Sequence, residues 1–204
     1  MLTKIAVFVS GGGTNLQALI DAQNDGIIKN GRIALVLSSN PDAYALTRAA
    51  NAGIPYTTVA RKGCKDIAEF EARVCEKLEE YGIDMIVLAG FMTILSESFV
   101  KKYDKRIINV HPSLIPAFCG KDYYGLRVHE AALARGVKVT GATVHYVNEI
   151  ADGGEIILQK PVKVLKDETS ESLQRRVMQN AEWVILPRAC EMVAKKIRQA
   201  KKGE

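Results

Sequence analysis

Cysteine is sparse in this sequence and never paired. Cys64, Cys75, Cys119 and Cys190 are widely spaced and form no Cys-x-x-Cys element, which argues against a zinc site. A long apolar run is missing as well, and no small-residue cleavage site follows the opening MLTKIAVFVSGGG. The sequence therefore predicts no membrane span and a reducing cytoplasm as the compartment. Aromatic residues do not interleave with basic ones along a strand, and no helix-turn-helix or zinc-finger spacing appears, so nucleic acid is not an expected partner. Without repeats, low-complexity stretches or Pro/Ser-rich linkers, residues 1–204 read as a single domain. Twenty-eight Lys and Arg against 23 Asp and Glu leave a net charge of +5. Several of those cations lie in the tail AKKIRQAKKGE, where positive charge complements a helix C-terminus. An anionic small molecule fits the remaining balance.

What is present is a regular alternation. KIAVFVS (4–10), IALVLSS (33–39), YTTVA (56–60), DMIVLAG (84–90) and IINVHP (107–112) are short β-branched runs, apolar enough to be covered on both faces. Helix-like stretches separate them. NLQALIDAQNDG opens after Thr14 as a cap, DAYALTRAANAG closes on Gly53, and DIAEFEARVCEKLEEYG ends on Gly82. After about residue 137, TGATVHYV and EIILQKPVKV follow each other too closely for a helix between them. The spacing predicts an open, mostly parallel Rossmann-like α/β sheet with helices on both faces and an antiparallel C-terminal extension. A long helix from about Glu168 to Lys201 closes the chain, bent or divided at Pro187. In such sheets ligands bind beyond the carboxyl ends of the strands.

Two motifs lie there. SGGGTN follows the first strand and opens the first helix, so its amides face out of a helix N-terminus and suit a phosphate. The pattern is neither G-x-G-x-x-G nor a P-loop, and a plain tight turn remains an alternative reading. The second is IINVHPSLIP. Side chains at i and i+2 of a strand point the same way, so Asn109 and His111 converge just before Pro112 and Pro116 stiffen the loop. Imidazole exchanges a proton near neutrality, and an amide donates to a developing oxyanion. Asp152, in the loop sequence EIADGGEI, is placed to add a carboxylate, although taken in isolation a turn-forming role is the better reading. Of the other two histidines, His145 in ATVHYV either lines the same cleft or is a buried packing residue, and His129 in GLRVHEAALARG reads as a surface or support residue. The three share no ligand spacing, so no metal is expected. Phe91, Met92, Ile94 and Leu95 form an apolar lip after the fourth strand, suited to a flat heteroaromatic ring; core packing is the competing account, and for Leu88 it is the better one.

Together SGGGTN, LAGFM, INVHPSLIP and ATVHYVNEIADGGEIILQ resemble the phosphoribosylglycinamide formyltransferase family of purine synthesis, in order and spacing over essentially the whole chain. The resemblance implies direct transfer of a formyl group from 10-formyltetrahydrofolate, as co-substrate, to the amine of glycinamide ribonucleotide, without metal, by a monomer or homodimer. On the matching positions Asn109 and His111 hold the oxyanion, His111 as the protonated partner, and Asp152 raises the His111 pKa and helps take the amine proton. The resemblance gives Gly13, Thr14 and Asn15 to the ribonucleotide phosphate and Glu182 to its ribose or glycinamide end, where the plain alternative is an exposed helix carboxylate. It gives Met92, Thr93, Ile94 and Leu95, with Asn109 and the loop Asn148, Glu149, Ile150 and Ala151, to the pterin, and His145 to a supporting place. Within the domain it implies a ribonucleotide side up to about residue 100 and a folate and catalytic side over about 85–165.

Three positions depart from the family pattern: Thr93 where arginine is frequent, Trp183 where histidine is frequent, and the extended loop 121–125 after the SLIP turn. Competing readings are a 10-formyltetrahydrofolate hydrolase, a methionyl-tRNA formyltransferase, for whose tRNA-binding domain no sequence is left, and a non-catalytic nucleotide-binding module.

Overall fold

The computed structural model describes residues 1–203. Seven strands form one sheet: β1 (Thr3–Val9), β2 (Gly31–Ser38), β3 (Tyr56–Thr58), β4 (Met85–Leu88), β5 (Ile107–His111), β6 (Val139–Tyr146) and β7 (Ile156–Lys163). Their order is β3-β2-β1-β4-β5-β6-β7. β1 to β5 pair in parallel, and β6 and β7 join antiparallel. Both the parallel body and the antiparallel extension agree with the strand spacing in the sequence.

The period of two sorts the side chains of the strands into two cores. Ile5, Val7 and Val9 face one way with Val36, Val87, Ile108 and Val144. That layer is covered by α1 (Thr14–Asn24), α2 (Tyr44–Asn51), α6 (Ser170–Val177) and α7 (Trp183–Gly203). Ala6 and Phe8 face the other way with Leu35, Leu37, Ile86 and Ile107, covered by α3 (Ile67–Glu80) and α4 (Glu97–Lys102). The short strand runs are continuously apolar because both faces are buried. The remaining helix, α5 (Leu126–Arg135), lies against α6.

The chain order reverses between β1 and β4, and the loops leaving these two strands diverge there. Such a switch point is where open α/β sheets hold ligands.

Two local expectations are corrected. Gly13, not Thr14, caps α1; it sits at φ 71° and no side chain caps the helix. A Cβ at Gly13 would stand 2.7 Å from Ala45 Cβ, so only glycine makes this turn without displacing α2. The C-terminal helix does not break at Pro187, which lies inside α7. It divides earlier, at a π turn over Met178–Glu182 in which the Trp183 N–H reaches the Met178 carbonyl. Pro187 has no N–H for the carbonyl four residues back, and the helix accommodates it with a wider turn immediately upstream.

Candidate active site

β5 and β6 set the centre of the site by register. Asn109 pairs with His145 across the ladder and His111 with Thr143. A bulge at Val144/His145 on the β7 side re-aims the strand at this point. Beyond it, Asp152 reaches back over both imidazoles. Its Oδ2 lies 3.4 Å from His111 Nδ1 and accepts from the Gly120 amide at 2.9 Å, while its Oδ1 lies 3.5 Å from both His145 Nε2 and Asn109 Nδ2. Asn109 Nδ2 is also 3.2 Å from His145 Nε2. Asp152 adopts φ 56°, a left-handed conformation that Asp tolerates better than most residues. Gly154 permits the hairpin, because a Cβ there would lie 1.7 Å from the Tyr146 carbonyl oxygen.

The loop after β5 folds back on β6. Thr143 Oγ1 donates to the Ser113 carbonyl at 2.7 Å and accepts from the Ile115 amide at 3.0 Å. This returns the Phe118 carbonyl to 2.8 Å from His111 Nε2, and since a carbonyl only accepts, Nε2 carries the proton.

The electrostatics correct one expectation. Burial is the largest influence on His111 and holds its pKa below the usual imidazole value; the charge of Asp152 and the Phe118 carbonyl pull it up without overcoming that. For Asp152 burial acts upward, but the hydrogen bond with His145, the charge of His111 and the Gly120 amide outweigh it and leave the carboxyl below its usual value. At neutral pH the free protein therefore holds an ionised Asp152 beside a neutral His111. His111 is 4% exposed, so solvent barely reaches the ring.

Next to this cluster lies a cavity of about 140 Å³, lined by Leu88, Phe91, Thr93, Ile94, Leu95, Asn109, His145 and the loop Asn148–Asp152. All the residues assigned to the pterin line it except Met92. Met92 is 60% exposed, lies in a shallow groove with Arg61 and Ile67, and donates its N–H to Ser10 Oγ at 3.0 Å. Phe91 is anchored on Phe8 and Phe70, with ring centroids 5.2 and 6.4 Å away. It belongs as much to the core as to the lip.

Across the switch point, the turn after β1 has its carbonyls tied from behind. Ser10, Gly11, Gly12 and Gly13 accept from Asn40 Nδ2, the Ala45 amide, Arg48 Nε and the Gln17 amide respectively. Among the described residues the amides of Gly11, Gly12 and Gly13 donate to nothing. An outward row of free N–H groups ahead of a helix suits an anion. Asn15 Nδ2 donates to Glu182 Oε2 at 2.8 Å, so the structure brings these two together from opposite ends of the chain. Glu182 is buried, which overturns its reading as an exposed helix carboxylate, and burial pushes its pKa up to about 7. The Oδ1 of Asn15 is buried without a partner.

These features coincide with a known pattern: a model of the formyl transferase family matches residues 3–190. The chain belongs to the formyl transferase family. It is 40% identical over 186 residues to the phosphoribosylglycinamide formyltransferase of Haemophilus influenzae, covering 91% of this chain and 84% of the relative. It is 43% identical over 191 residues to the human trifunctional purine biosynthetic protein adenosine-3, covering 94% of this chain but only 18% of that protein. Among solved structures, glycinamide ribonucleotide transformylase 1 of Symbiobacterium toebii superposes with a TM-score of 0.89 at 40% identity, over 96% of this chain and 89% of that one.

Several site groups of this formyl transferase escape sequence reasoning. Thr143, the Phe118 carbonyl and the Gly120 amide carry no motif signal. His129, read as a surface or support residue, is not at the surface: it is wholly buried on α5, neither ring nitrogen has a partner, and burial lowers its pKa to about 4. A groove of about 440 Å³ between α1 and the start of α7 lies away from the imidazole cluster; Thr14 and Trp183 line it. Among the described residues no three His, Cys, Asp or Glu side chains could hold a metal ion, and no helix is long and apolar enough to cross a membrane.

Proposed function

We propose that this protein transfers the formyl group of 10-formyltetrahydrofolate to the amine of glycinamide ribonucleotide in purine biosynthesis. The observation that carries the proposal is the Asn109–His111–Asp152 cluster opening onto the cavity formed by the β4 loop and residues 148–152, with the free amides of the glycine turn across the switch point.

In this reading the pterin enters the cavity against Leu88, Leu95 and Val147, with Asn148–Ala151 along its edge. The ribonucleotide phosphate meets the amides of Gly13, Thr14 and Asn15, and Glu182 with Asn15 receives the ribose or glycinamide end. The amine lone pair attacks the formyl carbon, and the carbonyl π electrons move to oxygen. Asn109 donates an N–H to that oxyanion, exchanging its contact with Asp152 for the new charge. Ionised Asp152 takes the amine proton, directly or through one water. His111 is neutral in the free protein, and the negative charge growing beside it raises its proton affinity, so that its Nδ1 takes the amine proton on from Asp152 Oδ2 and the ring becomes an imidazolium. It then donates to the folate nitrogen as the C–N bond breaks, releasing tetrahydrofolate and the formylated product. Its Nε2–H is held by the Phe118 carbonyl, so donation from Nε2 requires that acceptor to be exchanged for the substrate. We assign the reaction to the cytoplasm, supported by four free cysteines.

Release of tetrahydrofolate, followed with and without glycinamide ribonucleotide, tests the assignment. Release that depends on the ribonucleotide supports transfer. Equal release in its absence means a hydrolase, and no release under either condition means a binding module.

A further inference from the structure

The loop between β4 and α4 lines the cavity, yet it has almost nothing of its own to hold it. From Gly90 to Leu95 no backbone N–H or carbonyl joins another backbone group among the described residues. Phe91 is packed into the core and the Met92 amide is tied to Ser10 Oγ. The far end is tied by Glu71, a carboxylate on α3 that is only 7% exposed. Its Oε1 accepts from the Ser96 amide at 2.6 Å and its Oε2 from the Ser96 hydroxyl at 2.5 Å. Ser96 in turn caps α4, accepting from the Phe99 amide. Glu71 has no cationic partner among the described ion pairs, so Ser96 supplies both of its recorded donors. A buried charge held only by one residue fixes that residue closely. Thr93, Ile94 and Leu95, the three residues immediately before it, form one wall of the cavity.

We infer that Glu71 is a positioning residue for the folate subsite, holding Ser96 from behind the loop so that Thr93–Leu95 stand where the pterin meets them. The inference rests on the folate reading above. Glu71 itself does not line the cavity, so its effect passes through the loop.

The test is steady-state formyl transfer by the full chain, each substrate varied at saturating concentration of the other. Glu71→Gln keeps the shape but offers one good acceptor for two donors. A hydrogen bond to a charged group is strong enough to change an equilibrium roughly ten- to hundredfold. The expected result is a folate KM raised about tenfold, with kcat within about twofold and the ribonucleotide KM unchanged. Ser96→Ala, which removes one of the two donors and leaves the carboxylate, should raise the folate KM severalfold and serves if Glu71→Gln does not fold. Ser98→Ala, whose hydroxyl touches Ser96 Oγ but not Glu71, should leave it unmoved. An unchanged folate KM in both Glu71→Gln and Ser96→Ala overturns the inference, as does an equal rise in both substrate constants, which a merely structural role would give. A wild-type protein without transfer activity overturns the folate reading and this inference with it; an active wild type with unresponsive variants overturns this inference alone.

Discussion

At the β1–α1 turn the outward groups are backbone amides, held by carbonyls fastened to α2 and the loop before it. At the β5–β6 rim they are side chains, held by one another and by a carboxylate in a left-handed loop. An amide donor neither titrates nor changes sign. The imidazole–carboxylate cluster does both, with burial pressing His111 toward neutrality while Asp152 stays ionised. The first arrangement suits a group that must only be held, such as a phosphate; the second suits a group whose charge changes during reaction.

Substitutions on the two sides should therefore fail differently. The largest effect is expected at Asp152. Asp152→Asn keeps the backbone preference and the acceptor for Gly120 but removes the charge, so turnover should fall by roughly 10²- to 10⁴-fold with little change in Tm. Titration of the ring by NMR checks the cause: without Asp152, the charge that supports its imidazolium, the His111 pKa should drop further. A normal turnover and an unmoved titration would leave Asp152 as a loop residue. Asn109→Ala comes next. Loss of an oxyanion donor typically costs about 10²- to 10³-fold in kcat, and the ribonucleotide KM should hold, because that turn is built elsewhere.

On the amide side the readout shifts from kcat to KM. Gly13→Ala places a Cβ against Ala45 at a φ of 71°, so the ribonucleotide KM should rise while the folate KM stays, and stability should fall by about 1–3 kcal/mol. A change confined to the folate constant would assign the turn to the other substrate. The smallest effect concerns pH. Glu182 titrates at about 7 in the folded protein against 4.5 as its ordinary value. The unfolded chain thus ionises first, and the stability associated with this group is full below about pH 4.5 and declines as pH rises toward 7. His111, His129 and Asp152, all with lowered values, act in the opposite direction and lose stability as pH falls. The difference between wild-type and Glu182→Gln Tm curves isolates the glutamate. It should move in the variant's favour from pH 5 to 7, and a flat difference would show that Glu182 is not neutral in the folded state.

The sequence by itself determined the features whose range is one element. Continuous β-branched runs meant strands buried on both faces. The i, i+2 spacing put Asn109 and His111 on one face, and Asp-Gly-Gly meant a tight loop beside two strands. Each follows from backbone geometry within a few residues. Tertiary structure decided the rest, because register, burial and charge depend on residues far apart in the chain. It set His145 opposite Asn109, through an antiparallel pairing and a bulge. It buried Glu182 against Asn15, 167 positions away. It buried His129, for which the amphipathic pattern of its helix had left both a surface and a support place open. It also reversed the sign of the His111 shift: a neighbouring carboxylate is legible from motif spacing, but the desolvation that outweighs it exists only once the SLIP loop closes over the ring and the core closes behind it.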